Sequence, residues 1–161
     1  MTRARPVELE FVAHDDPSLL THMRKVAADR TGWINVKPII DEEHTPAGPG
    51  PFAFLGGSTH KVPTVTWMPG RQAANGAKKP TTVGIQHAAG THLAWKLRDI
   101  GMPLPDGWRV TQDHPRRGLV AQVPADADDE AVMHWLLSAA TFASAVPTTG
   151  RWTASIHAGL A

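Results

Sequence analysis

Apolar and polar residues alternate one by one in some stretches of this chain and recur every three or four positions in others. In residues 6–13, PVELEFVA, Val7, Leu9 and Phe11 fall on one side and Glu8 and Glu10 on the other. That is the pattern of a half-buried strand. HDDPSLL follows. Asp16 is placed to N-cap a helix whose first residue is Pro17, where a missing N–H is no loss. Leu19, Met23 and Val26 then recur at helical spacing. Thr31-Gly32 ends the helix, and Trp33 to Lys37 reads as a second strand.

The same order returns twice. TTVGIQH (81–87) alternates as a strand, Leu93, Leu97 and Ile100 mark a helix, Gly101 stops it, and Asp106-Gly107 precedes a strand opening on Trp108. GLVAQVP (118–124) is again a strand. Asp128 is placed to cap a helix carrying Val132, Trp135, Leu136, Ala139 and Phe142, and Gly150-Arg151-Trp152 opens the last strand. Each unit reads strand, helix, glycine, tryptophan-led strand, a structural repeat. The tryptophans are expected to anchor the core.

The second and third units in tandem give βαββαβ over 81–157, the ferredoxin-like order. The first unit, with a further strand at PTVTWMPG (63–70), precedes it as an extra βαββ unit spanning 1–70. The expected fold is therefore α+β: a mostly antiparallel sheet of about seven strands with three helices on one face, in a single domain spanning 1–161. Two segments break the rhythm. Residues 41–62 form a long Pro/Gly loop, and long loops of this kind are commonly functional or disordered. Residues 70–80 read as a polar, flexible connector.

Sorting each strand by alternation gives two faces. Val83 and Ile85, Trp108 and Val110, Leu119, Ala121 and Val123, Trp152, Ala154 and Ile156 are expected under the helices. Thr82, Gly84 and Gln86, Arg109, Thr111 and Asp113, Val120 and Gln122, Thr153, Ser155 and His157 form the other face, joined by Thr64 and Thr66. That face is small and polar, and it lacks the stacked aromatics with which an RNA-recognition sheet holds bases.

Composition narrows the function classes. The chain of 161 residues contains no cysteine, which removes disulfides, thiolate metal sites and cysteine nucleophiles and fits a cytoplasmic setting. A net charge of +1 lacks the basic excess of a nucleic-acid binder. No stretch approaches a membrane span, and the N-terminus has no apolar signal region. Nine histidines invite a metal, but HExxH is absent. In the ferredoxin-like order the strand ending at His87 is expected to oppose those ending at His114 and His157, so the three cannot share an ion. No metal or cofactor is expected.

Two readings of function remain. In the first, the protein is a binding or interaction module, expected to be a homodimer, that takes a small polar or anionic ligand or a second subunit at the polar face through Arg109, Thr111, Gln122, Ser155 and His157. In the second it is a proton-transfer or hydrolytic enzyme. There His114 in DHPRRGL is the base, Asp113 its orienter, and Arg116 and Arg117 the anion clamp. The same stretch also suits a plain turn, with Asp113 accepting from turn N–H groups, Pro115 fixing φ and Gly118 free to take positive φ, a reading that leaves His114, Arg116 and Arg117 unexplained. The βα turn at 87–92 is expected to be capped by Thr91.

Overall fold

The computed structural model describes residues 5–12, 17–29, 31–44 and 61–158. The elements follow the expected order: β1 (Val7–Val12), α1 (Ser18–Asp29), β2 (Gly32–Pro38), a 3-10 turn (Glu42–His44), β3 (Thr64–Met68), β4 (Thr81–Gln86), α2 (Leu93–Asp99), β5 (Arg109–His114), β6 (Gly118–Val123), α3 (Asp129–Ala143) and β7 (Arg151–Ala158). The seven strands form one sheet in the order β1-β7-β2-β3-β4-β6-β5, and every neighbouring pair is antiparallel.

Alternation decided the faces because one face meets the helices. Ile34, Val36, Val65, Trp67, Val83, Ile85, Ala121, Val123, Trp152, Ala154 and Ile156 are all buried in one core cluster. Leu19, Met23 and Val26 of α1 and Leu93 and Leu97 of α2 join it, with Val132, Leu136 and Ala139 of α3. Burying each large aliphatic side chain contributes roughly 1.5–3 kcal/mol. Ile100, Phe142 and Val110, expected to face inward, are 51%, 41% and 41% exposed. Asp128 caps α3 as its sequence position suggests: its Oδ2 accepts from the Ala131 N–H at 2.9 Å.

The strand–helix–strand repeat is visible as three parallel crossovers. β1 and β2 lie either side of β7, and β4 and β5 lie either side of β6. α3 links these two central strands across β2, β3 and β4. The repeated glycines before the tryptophan-led strands, Gly32, Gly107 and Gly150, all take positive φ, which only glycine does without strain. A ferredoxin-like sheet would set β7 beside β4. Here the β2–β3 hairpin lies between them, so only β4, β6 and β5 keep that neighbour order.

The 70–80 segment is built rather than loose. It folds back as a small hairpin with a Gln72–Lys78 bridge, an Ala73 N–H to Ala77 carbonyl bond of 2.8 Å and a Lys79 N–H to Arg71 carbonyl bond of 3.0 Å. The Asn75 side chain, accepting from the Ala77 N–H at 3.1 Å, shapes its tip. The proposed Asp16 cap and most of the 41–62 loop lie outside the described residues.

Candidate functional site

The charged knot at the β5–β6 turn resolves into two separate structural roles. A bulge at Thr111 shifts the β5 register, so that Gln112 rather than Thr111 faces Val120. The extra residue turns Asp113 from the polar face, where unbroken alternation places it, to the helix face opposite Leu119. There its Oδ1 accepts from the Leu93 N–H at 3.1 Å and its Oδ2 from the Ala94 N–H at 3.0 Å. Asp113 thus caps α2 from a neighbouring strand. The expected Thr91 cap is replaced: the N-cap position is His92, left-handed at φ 58 and without a side-chain bond of its own.

His114 points elsewhere. Its Nδ1 accepts from the N–H groups of Arg116 and Arg117 at 3.1 and 3.3 Å, closing the turn. Gln112 Nε2 donates to the Arg117 carbonyl at 2.9 Å. Gly118 takes φ 84, and a Cβ there would lie 2.4 Å from the Ile85 carbonyl oxygen. Asp113, His114 and Gly118 therefore each have a local structural task.

The five residues assigned to the polar face divide into two groups. Arg109 Nη2 donates to Gln122 Oε1 at 2.6 Å across the β5–β6 edge, beside Thr111, whose hydroxyl donates to the Val120 carbonyl at 3.3 Å. Ser155 and His157 lie on β7, four strand positions away from β6, or roughly 19 Å. The Ser155 hydroxyl is shared between the two carboxylate oxygens of Glu8 at 2.8 and 2.9 Å. His157 stacks on Trp33, ring centroids 4.7 Å apart and planes 11° from parallel. Trp33 therefore belongs to the open face, unlike Trp152 and Trp67 in the core, because it falls one residue out of phase with Ile34 and Val36.

Between these groups lies a hollow of about 370 Å³ on the polar face. Its floor is Gly84, at the centre of β4. The pairing register sets Asn35 beside Thr66, Thr66 beside Gly84, and Gly84 beside Val120, a single row crossing four strands. The Thr66 hydroxyl donates to Asn35 Oδ1 at 2.9 Å, which leaves the Asn35 amide N–H groups for another partner. Thr64 and Gln86 line one end of the hollow, with Arg117 reaching in from the turn, and Thr82 and Met68 line the other. A Cβ on Gly84 would meet only ordinary contacts, the nearest being the Leu119 carbonyl oxygen at 3.6 Å. The chain's own packing does not require glycine there.

Of the residues assigned from sequence, the hollow uses Arg117 alone. Asn35, Thr66, Gly84 and Gln86 were not among the assigned ligand-binding residues, although the glycine in the middle of TTVGIQH is a signal for close approach to a strand. Strand direction also corrects the histidine geometry. β4 and β5 both run antiparallel to β6, so His87 and His114 end up at the same edge of the sheet. β7 runs opposite to β4, which leaves His157 at the other edge. His87 is buried, and its Nδ1 accepts from the Ala89 N–H at 3.1 Å. Among the described residues no cluster of three or more His, Asp or Glu side chains suits a metal ion.

A second, smaller cavity of about 180 Å³ lies on the helix side, lined by Trp67, Lys78, Lys79, Thr81 and Asp129. Desolvation raises the Asp129 pKa above its ordinary value of 3.8, the Asp128 charge adds to the rise, and Arg24 opposes it. No helix among the described residues is long and apolar enough to cross a membrane. The chain matches no protein-family model, no curated protein and no solved structure.

Proposed function

We propose that this protein is a small binding module whose ligand sits in the hollow on the open sheet face. The observation that carries the reading is Gly84. A glycine inside a strand costs about 0.5–1 kcal/mol relative to alanine, and here neither its backbone conformation nor its neighbours demand it. A molecule approaching the floor of the sheet would. The surrounding residues suit a polar guest: Asn35, Thr64, Thr82 and Gln86 all line the hollow, the few placed polar groups typical of a ligand site. A cytoplasmic location and a homodimeric state belong to the same proposal.

Gly84→Val tests it. The branched side chain suits a strand and fills the hollow, so the variant should melt within about 1 kcal/mol of wild type. Small polar and anionic compounds found by ligand-detected NMR to bind wild type should lose their binding. A folded Gly84→Val protein that binds the same compounds equally well rules out the hollow.

A second copy seated on the same face is the second reading. The half-buried Trp33–His157 stack and Met68, 40% exposed, favour it, being apolar surface on an otherwise polar face. Sedimentation velocity of wild type beside Trp33→Ser separates the two: a dimer held there dissociates in the variant. The acid–base reading of Asp113 and His114 finds less support, since the two side chains engage different backbone segments.

A further inference from the structure

We infer that the molecule held in the hollow is a small amphipathic carboxylate, its charge at Arg117 and its apolar body lying along β4 toward Met68. The inference rests on the hollow being the binding site. It is argued from how charge and apolar surface are distributed around it.

Arg117 is the single charged residue among the described residues lining the hollow. No ion pair among the described residues engages its guanidinium. Its backbone is fixed from both sides, by His114 at its N–H and Gln112 at its carbonyl, so the base of the side chain is held while no described carboxylate claims the guanidinium. One guanidinium matches one carboxylate, with two parallel N–H···O bonds. A phosphate monoester carries about −1.5 to −2 and would leave charge uncompensated here. The acids of the open face, Glu8 and Glu10, are on β1, four strand positions from β4, or roughly 19 Å. That is about twice the Debye length of roughly 8–10 Å, so their charges are largely screened from an anion in the hollow, and Glu10 is paired besides with Arg151 at 3.2 Å.

The far end is different in character. Met68 is 40% exposed there, and a methionine adapts its shape to an apolar partner. Val120 and the bare Gly84 continue that surface toward Arg117. From Gln86 to Thr82 the floor runs four residues, roughly 13 Å. That length suits a carboxylate with a short apolar tail better than a compact anion.

The test uses the 15N-labelled full chain and three probes: 4-phenylbutyrate, its neutral analogue 4-phenylbutanamide, and acetate. Phenylbutyrate should shift the amide signals of Gly84, Gln86, Arg117 and Val120 saturably, with a Kd at least fivefold below that of the amide. Acetate should leave Gly84 unmoved. Arg117→Gln should bring the two phenyl compounds within twofold of each other without weakening the neutral one, and Arg117→Lys should restore part of the preference. Equal affinity of both phenyl compounds at Gly84 in wild type overturns the carboxylate and leaves the hollow standing. If neither compound moves the signals of the hollow, the carboxylate and the binding reading fail together.

Discussion

Replacing Asp113 by alanine removes both acceptors that hold the start of α2. The N–H groups of Leu93 and Ala94 lose bonds of 3.1 and 3.0 Å to a carboxylate, and Leu93 is fully buried. Losing a side-chain N-cap costs about 0.5–2 kcal/mol, and a buried donor left unsatisfied costs about 1–3 kcal/mol. Asp113 is only half-buried, so water replaces part of the loss. The expected cost is therefore about 1.5–2.5 kcal/mol, with Asp113→Asn near half of it because one oxygen remains. Urea denaturation followed by tryptophan fluorescence measures the difference directly. In a chain of this size it corresponds to a fall in Tm of roughly 3–10 °C. Hydrogen exchange locates it: the Leu93 and Ala94 amides should lose protection before those of β6. Asp113→Ala stability within about 0.3 kcal/mol of wild type, with exchange at Leu93 unchanged, refutes the cross-strand cap.

Gly118→Ala should destabilise by about 2–4 kcal/mol, combining a left-handed backbone with a methyl group driven into the Ile85 carbonyl; chemical denaturation checks this, and a near-neutral result refutes the close approach of the turn to β4. Asp129 carries its proton to higher pH in the folded chain than in the unfolded one, so its contribution is full at acid pH and falls as pH rises through the region just above 3.8. Asp129→Asn has no such proton to lose and should gain stability relative to wild type across that window; parallel Tm curves for the two proteins would refute the burial of the carboxyl.

Much of the architecture was legible because burial imposes a period. Leu19, Met23 and Val26, or Val83 and Ile85, name their element and its inner face without help from the rest of the chain. What was not legible depends on distant partners. Nothing in RWTASIH states that it pairs with β1 and β2 rather than with β4, since strands of similar alternation are interchangeable until the whole sheet is assembled. The bulge at Thr111 was equally hidden: one extra residue reverses every side chain after it, and that sent Asp113 to the helices. The site suffered from both effects. Alternation groups Ser155 and His157 with Arg109 and Gln122 by face alone, and face carries no information about which strands intervene. Gly84 was visible as an oddity but gained meaning only once the space above it was known.

The placement of β7 also governs when the sheet can be finished. Among the described residues β1 has no strand beside it other than β7, so until residues 151–158 have been synthesised β1 has none of these strands to hydrogen-bond against. β1 and β2 must wait, open-edged, for β7 to slide in between. Interrupting synthesis after α3 would therefore yield a chain with β1 unpaired and β2, held by β3 alone, open along one edge, and a strong tendency to aggregate.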